Sequence, residues 1–202
     1  MKVIGIGGEP GTGKSSVVKE ILKRLGEGYD FQFELLRGKK FIEHNPRVLV
    51  LGKYEEGVLF CGTDRLSMIA IVSIKSFLQK CLENNLFQDY TIVFEGDRFF
   101  KQAVFNFLNS LSIEYSLYIL QVEQEILDLR RNERGESNHT DKFLKGRKTM
   151  YANIQETNSE KVTILKNNNE ADFASLVDLI YSEIKIPYEL TNPQILGDPT
   201  IL

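Results

Sequence analysis

The sequence is poor in the residues that build metal sites and disulfide frameworks. It has two cysteines and two histidines, and neither Cys61 nor Cys81 has a second cysteine or histidine at the spacing of a zinc ligand. A structural zinc site is therefore excluded, and ordinary buried or half-buried thiols are expected.

Long apolar runs are missing as well. No stretch reaches the roughly 20 apolar residues that a membrane-spanning helix needs. Residues 1–4 lead directly into a predicted strand rather than into a signal peptide. We therefore expect a cytoplasmic protein that has no membrane partner.

The sequence also lacks a surplus of positive charge. The net charge is −3, whereas proteins that bind nucleic acid mainly by electrostatics carry an excess of Lys and Arg. The positive charge is concentrated in one segment: seven Lys/Arg and three Asp/Glu lie between Arg130 and Lys148, a local net charge of +4. The sequence thus predicts a local basic segment in a chain that is acidic overall.

The composition that remains is that of an ordinary globular domain. The chain has 202 residues, of which 42% are hydrophobic and 26% charged, enough to bury a full core without disulfides. We predict one domain over residues 1–186 and a tail over residues 187–202, where no clear period is present.

A glycine-rich motif follows the first predicted strand and opens the first predicted helix. Its residues are Gly8-Glu9-Pro10-Gly11-Thr12-Gly13-Lys14-Ser15, which match the pattern G-x-x-x-x-G-K-[ST]. In such a loop, backbone N–H groups and the helix N-terminus surround phosphate oxygens, the lysine bridges the outer phosphates and the serine binds Mg²⁺. We therefore predict ATP and Mg²⁺ as cofactors, with Lys14 in catalysis, Ser15 on the metal and Ser16 in the nucleotide-binding segment.

The apolar patterns predict strands that alternate with helices. Strand character is found at 2–6, 31–36, 47–51, 90–94, 117–122 and 162–165, and helical spacing at 18–25, 66–82, 100–111, 126–131, 143–154 and 173–180. Segments 31–36 and 47–51 flank a polar stretch, as the two strands of a hairpin would. With the glycine motif, this order predicts an α/β fold of the P-loop NTPase class, with a central parallel sheet of about five strands, helices on both faces and a basic helical lid at about 130–148.

Two carboxylates follow the strand at 90–94. Glu95 comes directly after it, where P-loop enzymes place the carboxylate that holds magnesium through water or orients the attacking group. Asp97 is two residues further, and a helix N-cap is its structural alternative. We predict that at least one of the two is catalytic, and that Glu95 is a metal ligand.

Four arginines have the fork geometry that binds phosphate and neutralises the charge of phosphoryl transfer. Arg98 lies beside the two carboxylates, and Arg130, Arg131 and Arg134 lie in the predicted lid. Arg130 and Arg134 are four residues apart and share a helical face, so we predict that both are catalytic and that Arg131 points elsewhere.

The segment Cys61 to Ser67 precedes a predicted helix. Thr63, Asp64 and Ser67 are candidate N-caps there. Alternatively, Asp64 takes the proton from an attacking hydroxyl and Arg65 binds the acceptor. Both interpretations of Asp64 are left open.

The sequence resembles the nucleoside and nucleotide kinase branch of P-loop proteins, especially phage-type kinases related to thymidylate kinase. The resemblance is carried by the P-loop, Leu51-Gly52-Lys53-Tyr54, Gly62-Thr63-Asp64-Arg65-Leu66-Ser67, Phe94-Glu95-Gly96-Asp97-Arg98 and Phe143-Leu144-Lys145-Gly146-Arg147. Some similar proteins phosphorylate hydroxymethylated pyrimidines within phage DNA, which would make this a DNA-modification enzyme.

The resemblance implies roles for particular residues. It implies a kinase core that uses ATP and magnesium, lid residues Arg130 and Arg134, and residues Asn167 to Asn169 near the adenine, with Asn168 as the predicted contact. We further predict that Tyr54, Asp64, Arg65 and Arg98 bind the acceptor. Asp97-Arg98 resembles the Asp-Arg pair of thymidylate kinases but follows Glu-Gly here, so the base and the metal ligand remain open between Glu95 and Asp97.

The sequence therefore predicts an ATP-dependent kinase acting on a nucleotide, a nucleoside or a hydroxymethylated pyrimidine base in DNA. A homodimer is a further option for its assembly. For a DNA acceptor, the lid and the stretch Arg37 to Lys40 should flank the pocket as a basic groove. The alternative is an ATPase or GTPase switch that couples hydrolysis to the binding of a partner.

Overall fold

The computed structural model of the chain describes residues 1–55, 61–133 and 140–187. Its strands are β1 (Lys2–Gly8), β2 (Tyr29–Phe33), β3 (Leu36–Phe41), β4 (Arg47–Leu51), β5 (Tyr90–Glu95), β6 (Glu114–Gln121) and β7 (Val162–Lys166). Its helices are α1 (Lys14–Leu25), α2 (Ala70–Glu83), α3 (Gln102–Ser110), α4 (Gln124–Glu133), α5 (Asp141–Thr157) and α6 (Glu170–Ile184). The chain has the α/β organisation that the apolar pattern predicts.

Seven strands of the described residues form one mixed sheet in the order β2-β3-β4-β5-β1-β6-β7. From β4 to β7 in this order all neighbours are parallel, whereas β2–β3 and β3–β4 are antiparallel pairs. The prediction of about five parallel strands is right for that part of the sheet and wrong for the whole, because an antiparallel ribbon extends it. The connection from β2 to β3 is too short for the crossover that a parallel pair needs.

The ribbon also differs from its predicted boundaries. The predicted strand 31–36 contains the turn at Glu34-Leu35, which joins Phe33 to its partner Leu36. The polar stretch Arg37 to Lys40, expected between two strands, belongs to β3. Glu34 adopts a positive φ of 48° without the glycine or asparagine that usually marks such a turn, so the residue pattern gives no signal for it.

Helices cover both faces of the sheet because the side chains of each strand alternate between them. In β4, Leu49 and Leu51 pack into one core cluster with residues of α2, α3 and α5. Val48 and Val50 pack into the other cluster with residues of α1 and α6. The predicted two-sided covering is confirmed.

The helix predicted at 66–82 begins later than expected. It starts at Ala70, and Thr63–Arg65 form a separate turn of 3-10 helix. Neither N-terminus has a side-chain cap, so the expectation that Thr63, Asp64 or Ser67 caps a helix is wrong. Thr63 and Asp64 instead bond to the segment at the end of β5, as described below.

Helices α4 and α5 bracket the predicted lid. Residues 134–139 between them are outside the described ranges, so the role of Arg134 stays a prediction. Helix α6 ends at Ile184, and most of the predicted tail, residues 188–202, is likewise outside them. Within the described ranges no helix is long and apolar enough to span a membrane.

The parallel strands bring their carboxyl ends to one edge of the sheet, which we call the carboxyl edge. The glycine loop follows β1 there, Tyr54 lies beyond β4, and Glu95 to Arg98 end and follow β5. Residues 167–169 follow β7 at the same edge. Open α/β sheets bind their ligands at this edge, so the fold collects the predicted site residues where a ligand would bind.

Candidate active site

The glycine loop has the backbone geometry of an anion-binding nest. Gly11 and Gly13 have positive φ angles of 89° and 91°, which turn successive N–H groups towards one side of the loop. Thr12 N–H donates to Glu9 O at 3.2 Å and closes the turn. Helix α1 begins directly afterwards at Lys14, so its unpaired N–H groups add a partial positive charge at the same place.

Lys14 spans the mouth of this loop. Its Nζ donates to Gly8 O at 2.7 Å and to Glu9 O at 3.0 Å. In these described contacts, two neutral carbonyl oxygens hold the ammonium group over the loop. An anion with several oxygens would offer this group stronger, charge-assisted hydrogen bonds.

Glu95 is a buried carboxylate beside the start of α1. Its residue exposure is 1%, and its Oε1 accepts a hydrogen bond from Ser15 Oγ at 3.0 Å. Burial raises the pKa of Glu95 to about 7, the charge of Lys14 works against this rise, and the charges of Asp64 and Asp97 add to it. Near pH 7 the carboxyl group is therefore partly protonated, and a cation beside Ser15 would favour its charged form.

The backbone at 62–63 is built around Glu95. A Cβ atom on Gly62 would lie 1.8 Å from Glu95 Oε1, and Gly62 has a φ of 88°. Thr63 Oγ1 donates to Glu95 O at 2.5 Å. The segment between β4 and α2 therefore fixes both the main chain and the side chain of this carboxylate.

Asp64 anchors the loop that follows β5. Its Oδ1 accepts from the backbone N–H of Arg98 at 2.9 Å, and a Cβ atom on Gly96 would lie 2.8 Å from Oδ2. Burial and, next, the charge of Asp97 raise the pKa of Asp64, while Lys14 and backbone N–H groups oppose the rise. Asp64 thus lies at the carboxyl edge within electrostatic range of Lys14.

Asp97 faces helix α5 rather than a helix N-terminus. Tyr151 Oη donates to its Oδ1 at 2.5 Å, and Arg147 Nε lies 3.0 Å from its Oδ2. The N-cap interpretation is therefore wrong. Both oxygens of Asp97 contact side chains of α5, Arg147 at the end of the predicted lid and Tyr151 just after it.

The predicted acceptor residues lie around these carboxylates. Arg98 Nη2 donates to Asp64 O at 3.1 Å and its Nη1 contacts the Met68 sulfur, while Arg65 Nη1 lies 3.0 Å from Glu55 Oε2. The Tyr54 hydroxyl is buried near Glu95 without a well-formed hydrogen bond.

The surroundings of Tyr54 also affect its ionisation. Burial raises its pKa well above the usual value, and the nearby charge of Glu95 is the next cause. The hydroxyl therefore stays neutral and can donate a hydrogen bond to a group placed beside it.

A cavity lies beside the glycine loop and the start of α1. It has a volume of about 470 Å³, and its lining includes Gly11, Gly13, Ser16, Arg130 and residues 167–169. Arg130 Nη1 and Nη2 donate to Asn167 O and Asn168 O at 2.9 and 3.4 Å. Arg130 thus lies where the nucleoside part of a bound nucleotide is predicted, and its role in phosphoryl transfer stays a prediction.

The predicted adenine contact Asn168 is already engaged through its side chain. Its Oδ1 accepts from Glu123 N–H at 2.9 Å, and its Nδ2 donates to Glu123 Oε1 at 2.9 Å. The residue lines the same cavity. Its predicted role in nucleotide binding therefore depends on its position beside the cavity, because its side chain is already hydrogen bonded.

Two residues hold the glycine loop, a role that the sequence did not predict for either of them. Arg131 is only 6% exposed; its Nε donates to Pro10 O at 3.0 Å and its Nη2 to Glu9 Oε2 at 3.3 Å. Asn167 Nδ2 donates to Thr12 O at 2.8 Å. The available signal for Arg131 was its position four residues after the buried Leu127, which places both side chains on the inward face of α4.

The site suits ATP with Mg²⁺. The described residues contain no group of three or more His, Cys, Asp or Glu that could hold a metal ion alone. Mg²⁺ usually takes one or two protein oxygens together with waters and phosphates, and Ser15 Oγ and the Glu95 carboxylate offer that set beside the phosphate-binding nest. Ser15 and Glu95 would hold the metal, and the loop with Lys14 would hold the phosphates.

The strand order is that of an α/β fold with a seven-stranded mixed sheet, and its glycine loop matches the phosphate-binding pattern G-x-x-x-x-G-K-[ST]. Neither protein-family models nor curated proteins match the chain. Three similar solved structures are a gluconokinase from Sinorhizobium meliloti 1021, an uncharacterized protein from Eubacterium ventriosum ATCC 27560 and a shikimate kinase from Bacteroides thetaiotaomicron.

These likenesses are distant. Identities are 12%, 16% and 11%, each TM-score is 0.41, and the matches cover 90%, 90% and 91% of this chain and 97%, 97% and 98% of those chains. Similarity this low carries no weight for the activity of this chain, so its function is inferred from the site alone.

We predict that Gly62→Ala destabilises the protein whereas Gly146→Ala stabilises it. At Gly62 the added methyl group would clash with Glu95 and the φ is unfavourable, so we expect a loss above about 1 kcal/mol. Gly146 is a helical glycine with open space around its Cβ position, so alanine should add about 0.5–1 kcal/mol. Urea unfolding measures the change in the free energy of unfolding for both variants. Changes of the same sign and size would contradict the packing around Glu95.

We predict a pH-dependent stability term that disappears in Glu95→Gln. The folded protein keeps the Glu95 proton up to about pH 7, whereas the unfolded chain loses it near 4.5. This contribution is complete below pH 4.5 and is lost as the pH rises to 7, a change of about 3 kcal/mol. Between pH 4.5 and 8 the free energy of unfolding should therefore fall more in the wild type than in Glu95→Gln. Parallel curves for the two proteins would contradict the raised pKa of Glu95.

Proposed function

We propose that this chain is an ATP-dependent kinase that transfers the γ-phosphoryl group to a small acceptor or to an acceptor group on DNA. One observation carries the proposal: Lys14 lies over the glycine loop and Ser15 bonds to Glu95, within electrostatic range of the further carboxylates Asp64 and Asp97. When bound, ATP with Mg²⁺ supplies the phosphoryl group and part of the neutralising charge. The chain itself supplies binding, orientation and a proton acceptor.

The proposed roles follow from the contacts of each side chain. The N–H groups of the loop and Lys14 hold phosphate oxygens, and Ser15 with Glu95 orients the metal. Asp64 accepts the proton of the attacking hydroxyl, since its carboxylate lies at the same edge and its burial favours proton uptake. Asp97 is already bonded through both oxygens and is assigned neither role.

The acceptor is proposed to enter beside Tyr54. A cavity of about 340 Å³ lies there, and its lining includes Leu22, Val50, Arg37, Lys39 and Tyr54. This is at the lower end of the size of small-molecule sites. The apolar side chains of its lining suit a flat ring. Its lining also has three cations, Arg37, Lys39 and Lys53, against the two carboxylates of Asp30 and Glu55, a net positive charge that suits a phosphate group.

The acceptor remains a choice among a nucleotide, a nucleoside and a hydroxymethylated pyrimidine base in DNA. Arg37 and Lys39 line the cavity, as expected for an acceptor that carries phosphate. A base in DNA would have to leave the stack to reach the carboxyl edge, and its binding should weaken steeply with salt.

The proposal is tested by supplying γ-labelled ATP and Mg²⁺ with four kinds of acceptor: nucleosides, nucleoside monophosphates, unmodified DNA and hydroxymethylpyrimidine DNA. We expect stoichiometric label in one acceptor class. Release of the label only as free phosphate would contradict a kinase and favour the alternative, a P-loop ATPase or GTPase switch.

Matched variants make the assay specific to the site. Lys14→Ala should lower transfer by a factor on the order of a hundred or more, because it removes a charged donor to the phosphates. Lys23→Ala removes an exposed lysine of the same helix, which pairs with Glu20 at 3.5 Å, and should leave transfer unchanged. Near-normal transfer by Lys14→Ala would refute the assignment of the loop.

A further inference from the structure

Helix α5 is fastened to the end of β5 through one carboxylate. Arg147 and Tyr151 are four residues apart on α5 and therefore share a face. Tyr151 Oη bonds to Asp97 Oδ1 at 2.5 Å and Arg147 Nε to Asp97 Oδ2 at 3.0 Å. Each oxygen of Asp97 thus has its own donor from α5, the helix whose first half belongs to the predicted lid.

Tyr151 is also near the glycine loop. The residue is 5% exposed, and its ring packs against Phe100 with centroids 5.6 Å apart. Gly8 and Tyr151 line the same cavity of about 360 Å³. The buried Tyr151 hydroxyl therefore lies close to the glycine loop while it bonds to the loop after β5, and leaving such a group unpaired would be costly.

Arg147 is the cation that this arrangement brings to the carboxyl edge. Its side chain is 27% exposed, and its guanidinium lies over the Phe143 ring, 4.9 Å from the centroid. Asp97, to which it is bonded, is within electrostatic range of Glu95 and Asp64. Arg130, in contrast, is bonded to Asn167 after β7, and Arg131 to Pro10 within the glycine loop.

We propose that Asp97 and Tyr151 are positioning residues that fasten α5 to the loop after β5 and hold Arg147 beside the group being transferred. The proposal rests on the kinase function proposed above. It makes Asp97 the support of an arginine rather than a base or a metal ligand. Without this support the remaining described contacts of Arg147 would be those with Phe143 and Met150 of its own helix, which do not hold it to the carboxyl edge.

The test compares Tyr151→Phe, Asp97→Asn and the double variant with wild type in the labelled-ATP assay. Phenylalanine keeps the ring against Phe100 and removes only the hydroxyl. We expect each single variant to lower kcat about ten- to hundredfold, as loss of orientation does, with the KM for ATP changed less than about threefold. The double variant should be no slower than the slower single variant, because both changes break one link.

The control is Tyr115→Phe. Tyr115 is also buried and its hydroxyl bonds to Asn158 Oδ1 at 3.2 Å, but it lies near the amino end of β6, away from the carboxyl edge. Its loss should lower stability without changing kcat. Equal loss of kcat in Tyr115→Phe, or multiplicative losses in the double variant, would overturn the proposal.

A second measurement is independent of turnover. Amide hydrogen exchange of α5 in the nucleotide-free protein should rise at least about tenfold in Asp97→Asn and in Arg147→Gln, the latter a partly exposed site where folding should be retained. If wild type transfers no phosphoryl group but exchange rises as expected, the kinase function fails and the fastening stands. Unchanged exchange in both variants would overturn the fastening whatever the activity.

Discussion

Burial of the Glu95 carboxylate is the constraint on which the rest of the carboxyl edge depends. A carboxylate that is 1% exposed loses most of its hydration, and the protein compensates with one hydroxyl, Ser15 Oγ, and with the nearby charge of Lys14. The close approach of Gly62 excludes water on another side. The glycine loop, the end of β5 and the segment before α2 are thus arranged around one charge.

Around that charge the three predicted carboxylates have different tasks because their partners differ. Glu95 faces the start of α1, Asp64 bonds to the backbone of the loop after β5, and Asp97 bonds to α5. Burial raises the pKa of Glu95 and of Asp64, and repulsion by neighbouring carboxylates adds to the rise. A metal ion beside Ser15 would reduce this repulsion, so we expect the ionisation of these carboxylates to respond to a bound cation.

The sequence predicted the parts of this fold that depend on local pattern. The glycine motif lies between a strand and a helix as expected. Glu95 lies at the carboxyl end of β5, next to where the apolar pattern ends. The turn at Glu34-Leu35 was missed because neither residue is a usual turn former. The inward face of Arg131 and the partners of Asp97 depend on how α4 and α5 pack, and those contacts join residues far apart in the chain, which periodicity does not reveal.

The site residues divide in the same way. Lys14 and Ser15 belong to a motif whose spacing fixes their geometry, so their positions follow from sequence. Gly62 and Tyr151 carry no such motif: one is required by the volume of the Glu95 side chain, and the other by a hydroxyl that bonds to the loop after β5. Only the assembled carboxyl edge shows why these residue types are needed.

The most direct test of the central claim is calorimetric binding of a non-hydrolysable ATP analogue with and without Mg²⁺. Wild type should bind one equivalent, more tightly with Mg²⁺. Ser15→Ala should lose most of the gain from the metal, while Ser76→Ala, which removes a hydroxyl bonded to Glu34 on the surface of α2, should keep it. Absence of binding, or a metal effect that is the same in wild type and Ser15→Ala, would contradict the account.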